Sequence, residues 1–583
     1  MTIVPGVRAT ERDGDVALPD RARQTAGMAD ETIEALADEW LRVILQSEPL
    51  DASLMGYREY DAHVSDLTRQ HEVQTTERFH ELRARAETLQ LTDANKEITR
   101  AVLLALDDAA SDSLVVEALD YTVTAFPVSP ASILIAYLRM LVLTSPEECE
   151  AYLIRLQEIP RYLQQATERL ASGRSRGLVP VQRLVRAHMD QINEWVVVEP
   201  HPLAIDGVGF DPGDEWRERR DRIIATDVLP AFRRYANVLD TEALPESRPD
   251  ERPGLSHLPD GRERYAALVR LHTTTNRTPE ELHEQGMELL TAIHSEFRLL
   301  GEQLFGTSDV SEIFEHLQED PDLRWNSAEE IISAAEDTVR RAEAAASTWF
   351  GRVPKAVCAL ETIPAAESEG SAPAYYMPPS LDGTRPGTYY SNVNRPTERT
   401  RFDVESIAFH EAVPGHHFQI SLAQENGDLP ELRRLPMFTA YVEGWGLYAE
   451  RLADEMGLYS SVEQRMGMLS ADAWRAARLV VDTGIHHHGW SREEAVSFMR
   501  SNTPVAPLDV ESEVDRYIAY PGQALSYMTG RLEISRLRSA AQSALGDRFD
   551  VREFHDVVLV NGALPLSLLD RVVTAWVTQQ FAD

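Results

Sequence analysis

The chain has 583 residues, with 95 acidic against 57 basic side chains and a formal net charge of −38. A field of that sign repels nucleic acid and anionic membrane surfaces, so neither is expected as a partner. Hydrophobic residues at 43% and charged residues at 26% are those of an ordinary folded protein, which argues against disorder, and two cysteines, Cys149 and Cys358, are too few for a disulfide framework or a thiolate zinc site.

Residues 1–29 are polar and punctuated by Pro5, Gly6 and Gly14, which reads as a flexible N-terminal segment. They lack the apolar core of a signal peptide, and no window approaches 18 uninterrupted apolar residues, so a cytoplasmic location is the expectation. From about Asp30 to Leu317 apolar residues recur at three- and four-residue spacing, as in Glu31 to Leu45, His71 to Leu91 and Pro279 to Leu300. This predicts a succession of amphipathic helices. Thr278-Pro279-Glu280-Glu281 marks one helix start, with a capping Thr, a first-turn Pro and acids behind it. Polar, Pro-rich breaks at Glu199 to Asp214 and Leu244 to Asp260 are loops or a subdomain seam, so residues 30–583 are read as one catalytic unit with lobes of about 30–260 and 261–583.

Between Ala356 and Val393 the pattern changes. Tyr375-Tyr376-Met377 and Gly387-Thr388-Tyr389-Tyr390-Ser391 flank a Gly/Pro turn at Asp382 to Pro386, which predicts a small sheet or hairpin. Helical periodicity resumes at Asp403, a plausible N-cap, and runs to the C-terminus. The fold class expected is therefore mainly α with a small β-sheet.

The segment His410-Glu411-Ala412-Val413-Pro414-Gly415-His416-His417 carries the chemistry. In a His-Glu-x-x-His helix, two histidines one turn apart share a face and bind zinc while the Glu activates water. Here the later histidines stand at i+6 and i+7. On a regular helix His416 would lie roughly 120° from His410 and about 9 Å along the axis, too far for one metal. Pro414 and Gly415 stand where a break is required. His416 is the preferred second ligand, with His417 the alternative. Glu443 is the candidate third ligand, because a carboxylate in the apolar run Phe438 to Glu450 needs a partner. Gly444 and Gly446 suggest close approach of another helix, and Glu450 either orients a ligand histidine or pairs with Arg451.

His-Glu-x-x-Pro-Gly-His-His followed by Val442-Glu443-Gly444-Trp445-Gly446-Leu447-Tyr448-Ala449-Glu450 resembles the bacterial domain-of-unknown-function-885 family, as does Arg478 to His486. That family is similar, more distantly, to helical zinc peptidases such as thimet oligopeptidase, carboxypeptidase Taq and angiotensin-converting enzyme, which lack the extra residues between the two histidines. The resemblance implies a two-lobed helical shell around a deep cleft, with the sheet at its edge. It also implies that Tyr520 and Tyr527 are a tyrosine pair stabilising a tetrahedral intermediate, and seven residues of helix would point both phenols the same way.

Arg475, Arg478, Asp482 and His486 form a polar line on an apolar helix. It is either structural, for instance an Arg478 to Asp482 pair, or faces the cleft to bind a substrate carboxylate or the oxyanion. His487 and His488 are expected in a solvated turn, and Arg531 is a further candidate for the substrate carboxylate. Tyr389 and Tyr390 belong either to an edge strand that pairs with substrate backbone or to a buried hairpin core. The expected function is a metallopeptidase-like hydrolase with one Zn2+ per chain on His410, His416 and Glu443. Glu411 is the base, Tyr527 with Tyr520 and His486 assists, and a small peptide or amide is the substrate. The alternatives are a metal-dependent hydrolase or lyase acting on an amide-containing metabolite and an inactive peptidase-like binding scaffold.

Overall fold

A computed structural model describes residues 31–363, 372–379 and 386–581. The expected N-terminal segment 1–29 and most of the turn at Asp382 to Pro386 lie outside the described residues. Helices account for 70% and strands for 4%, so the fold is mainly α. Among the described residues no helix is long and apolar enough to cross a membrane.

Helix ends follow the capping chemistry. The Thr278 hydroxyl accepts from the Glu281 amide at 3.2 Å and the Glu281 carboxylate accepts from the Thr278 amide at 2.8 Å, opening the helix Pro279–Leu304. The Thr32 hydroxyl accepts from the Ala35 amide at 3.2 Å at the start of Ile33–Ser47, and that helix buries Leu36, Ala37, Trp40, Leu41 and Leu45 on one stripe. The segment expected from His71 to Leu91 is the helix Arg69–Thr88.

One hydrophobic core is built wholly from residues 50–243, around Trp195, Phe232 and Tyr235. A second joins Ile33, Leu36 and Trp40 of the first helix to Phe409, Phe418, Trp445, Tyr448 and Phe554. A third joins Leu268 and Phe297 to Leu447, Val480, Tyr517 and Met528. The helix Thr439–Glu455 gives Trp445 to one of these cores and Leu447 to the other, so it is packed from both sides. Against it runs Ser526–Leu545, and there the backbones nearly touch. A Cβ on Gly530 would stand 1.8 Å from the Ala440 carbonyl oxygen, and one on Gly444 would stand 2.5 Å from the Gly530 backbone. The helix approach expected from Gly444 is this one.

The sheet has three strands, β1 (Cys358–Thr362), β2 (Ala374–Met377) and β3 (Gly387–Ser391), in the order β1-β3-β2. β2 and β3 form the expected antiparallel hairpin, with Tyr376 opposite Tyr389 and Tyr375 opposite Tyr390, while β1 joins β3 in parallel. The strand carrying Tyr389 and Tyr390 is therefore central. Its backbone is hydrogen-bonded on both sides, which overturns its reading as an edge that pairs with substrate. Tyr389 is buried against Val404, Ala408 and Ala412, fixing the sheet to the histidine helix, and Tyr390 stacks on Tyr375 with centroids 5.0 Å apart.

Because the contact at Gly530 is backbone to backbone, a methyl group there cannot be absorbed by a rotamer change. Gly530→Ala is expected to lower stability by about 1–3 kcal/mol in urea unfolding despite its better helix propensity. Gly427→Ala, whose Cβ would meet nothing within 4 Å, is the control and should change it by less than about 0.5 kcal/mol.

Candidate metal centre

The helix Val404–Glu411 stops one residue after His410, and a new helix, His416–Glu425, starts with His416. Ala412 (φ −105°, ψ −104°) and Gly415 (φ −80°, ψ −128°) leave helical backbone between them. A Cβ on Gly415 would stand 1.9 Å from the His410 carbonyl oxygen, so only glycine lets the chain fold back this tightly. The turn is clamped by Trp445, whose indole N–H donates to the Pro414 carbonyl at 2.8 Å. In place of a roughly 9 Å axial separation, the rings of His410 and His416 meet edge to face with centroids 4.6 Å apart.

Both imidazoles point Nε2 at Glu443, each 3.5 Å from the same carboxylate oxygen. Ligands about 2.1 Å from a tetrahedral ion are about 3.4 Å apart, so this spacing fits a zinc-sized cation without rearrangement. The donor set, two imidazoles and one carboxylate, fits too. Glu450 accepts from His410 Nδ1 at 2.8 Å and from the Ser406 hydroxyl at 2.6 Å. Its burial, at 1% exposed, removes the alternative of a surface pair with Arg451, which binds Glu296 and Asp472 instead. With Nδ1 donating, His410 presents an Nε2 lone pair whenever the ring is neutral. Gly446 is required by the same ring: a Cβ there would lie 2.6 Å from His410 Cε1.

His417 is directed elsewhere. Its Nδ1 faces the Tyr376 hydroxyl at 2.9 Å and its Nε2 faces the Ala356 carbonyl at 3.0 Å. The carbonyl can only accept, so Nε2–H donates and Nδ1 accepts from the phenol. The geometry thus selects His416 as the residue beside His410.

The electrostatics match a cluster built around a positive charge. Burial works against protonating His410, but its hydrogen bonds to Glu443 and Glu450 win and lift it to about 10. Glu443 is held well below the usual carboxylate range: burial opposes this, but the two histidines prevail. Glu411 is half-buried, and burial raises its carboxyl although the histidines counter it. No hydrogen bond holds its side chain among the described residues.

Tyr527 stands beneath Arg478, whose guanidinium carbon is 4.6 Å from the phenol ring centre. Burial and the Glu443 charge push the phenol up, so it is a neutral donor. Tyr520 is placed differently from the expectation. The helix Pro507–Ala519 ends at it, Gly522 takes φ +83°, and a new helix starts at Ser526, so the two tyrosines do not share a continuous helix face. Pro521 is the reason, since it disfavours helical backbone in the preceding residue. Tyr520 packs edge-on against His272 at 5.1 Å.

The polar line divides. His486 is wholly buried, Nδ1 accepts from the Leu255 amide at 3.2 Å and Nε2 donates to the Tyr517 carbonyl at 3.0 Å. Both nitrogens are occupied, and burial lowers the ring to about 3, so nothing is left for an oxyanion. Asp482 accepts from the Tyr265 hydroxyl at 2.6 Å and from the Gly522 amide at 3.0 Å, anchoring the turn after Tyr520 instead of pairing with Arg478. Arg478 donates to Tyr517 at 3.0 Å and Glu513 at 2.9 Å, and its Nη1 is buried without a hydrogen-bond partner among the described residues. Arg475 has no carboxylate partner among the described residues, stacks on Trp474 at 5.0 Å and feels the charge of Glu411. Arg531 is taken by Asp472. Sequence reasoning missed Ser406, although its place one helical turn before His410 is a usable signal.

This is a mainly helical protein with a buried His-His-Glu cluster and a carboxylate behind it. The chain belongs to the family described as bacterial proteins of unknown function, DUF885, which matches residues 49–573. It is similar to a candidate lipoprotein from Colwellia psychrerythraea at 25% identity and a TM-score of 0.87, covering 94% of this chain and 99% of that one. A candidate lipoprotein of unknown function from Shewanella oneidensis shares the fold at 16% identity and a TM-score of 0.75, covering 93% of this chain and 100% of that one. No curated protein matches the chain.

Two predictions follow from these contacts. Glu450→Gln keeps the shape but loses the acceptor charge behind His410, so zinc affinity should drop by about 10- to 100-fold in a competition with a chromophoric chelator, whereas His417→Ala should leave it intact. Burial of Asp482 raises its carboxyl to about 7 despite two hydrogen bonds, against about 3.9 in an unfolded chain. Between those values the folded chain holds the extra proton, so this group's contribution is full below about pH 4 and is lost as pH rises through about 7. Asp482→Asn should remove that downward slope from urea midpoints measured across the window.

Proposed function

We propose that the chain is a zinc-dependent hydrolase cleaving an amide bond of a small peptide, in a helical shell like that of the thimet-type peptidases. Its lobes of about 30–260 and 261–583 would flank a cleft leading to the metal. The observation that carries this reading is the convergence of His410, His416 and Glu443 at tetrahedral spacing beside Glu411, a carboxylate with no hydrogen bond among the described residues. Zinc bound there supplies Lewis acidity toward a carbonyl oxygen and acidifies water.

The chain's own residues do the rest. Glu411, raised by burial toward the working pH, takes the proton of the attacking water and hands it to the leaving nitrogen. Tyr527, neutral and next to Glu443, donates to the carbonyl oxygen as negative charge builds there. Arg478 and Arg516 share Glu513, and Arg475 pairs with no carboxylate among the described residues, leaving positive charge over, which suits a substrate with a free carboxylate.

The test is hydrolysis of a fluorescence-quenched peptide library by the zinc-loaded protein. Turnover should vanish with a chelator and return with zinc. Glu411→Gln should lose at least ~10³ in kcat while retaining one zinc, and Tyr527→Phe should lose about 10²–10³ in kcat with KM nearly unchanged. Zinc binding without cleavage of any peptide would overturn the peptidase reading, and full activity in Glu411→Gln would remove that residue as the base.

A further inference from the structure

A second group of metal-binding side chains lies apart from the first. After the helix Val462–Thr483 the chain widens into a π-helical turn, Gly484–His488, closed by Gly489 at φ +78°. Consecutive side chains on a regular helix diverge by about 100°, yet here His487 and His488 turn their Nε2 atoms toward one oxygen of Glu280, at 3.8 and 3.4 Å. Glu280 belongs to the first turn of Pro279–Leu304, so the three groups come from two helices.

These separations are too long for good hydrogen bonds. They are close to the roughly 3.4 Å between ligands around a zinc-sized ion, and all three ligand atoms lie within 4.8 Å of one another. A third imidazole borders the group, with the rings of His283 and His488 in edge-to-face contact at 4.6 Å. His283 Nδ1 is 2.8 Å from the Thr483 hydroxyl oxygen. That hydroxyl directs its proton to the Leu479 carbonyl at 2.6 Å, so His283 donates from Nδ1 and keeps a lone pair on Nε2.

We propose that Glu280, His487 and His488 form a second metal site that takes a zinc-class transition ion and cross-links the two helices. Two imidazoles with one carboxylate select zinc, cobalt, nickel or copper over calcium or magnesium, which prefer all-oxygen shells. With side chains 53%, 26% and 30% exposed, the ligands keep contact with water, so this ion exchanges more readily than one at the buried cluster. The proposal stands independently of the hydrolase reading.

The experiment is equilibrium dialysis of the full chain against zinc, with elemental analysis of wild type, His488→Ala, Glu280→Gln and His416→Ala. The expected result is a zinc equivalent that His488→Ala and Glu280→Gln each remove while His416→Ala leaves it in place. Added zinc should also raise the melting temperature of His416→Ala but not of the double variant His416→Ala/His488→Ala. Unchanged melting of His488→Ala in chelator verifies that the fold survives the substitution. Zinc binding that is the same in wild type and His488→Ala would overturn the proposal.

Discussion

His410 lies against the helix Thr439–Glu455 with Glu450 on one ring nitrogen and Glu443 facing the other, and much of the surrounding structure exists to hold that ring there. Glycine at position 446 leaves room for the imidazole. Trp445 on the preceding position clamps the turn that brings His416 alongside. One helix thus supplies Glu443, the carboxylate behind His410, the space and the clamp. That helix is wedged between two hydrophobic cores and pressed backbone to backbone on Ser526–Leu545, so its position is set by packing on every side.

This constraint explains why charged groups can be buried here. A lone carboxylate at Glu443 or Glu450 would be expensive in an apolar helix, but each is met by a histidine, and Glu450 also by Ser406. Other buried polar groups follow the same rule with a different outcome. His417 ties the helix after the turn to the sheet, His486 holds two backbone groups and Asp482 holds a turn. They look alike as residue types in a sequence. What separates them is the partner: backbone groups and tyrosine hydroxyls occupy the polar atoms of His417, His486 and Asp482, whereas His410, His416 and Glu443 face one another.

The sequence by itself determined the helical class, the helix start at Thr278, the hairpin before the histidine motif, and the need for a break at Pro414-Gly415, because each rests on local periodicity, capping or dihedral limits. It also pointed to Glu443, since a carboxylate in an apolar run demands a partner. Only the tertiary structure decided between His416 and His417, because a broken helix has no calculable phase beyond the break. The turn between Tyr520 and Tyr527 has a local signal in Pro521, whereas only tertiary structure could show that β3 is central and that His486 is fully engaged. Those outcomes depend on which distant backbone groups arrive beside them: Leu255 and Tyr517 for His486 and β1 for β3. Local sequence carries no record of such long-range partners, and packing alone chooses them.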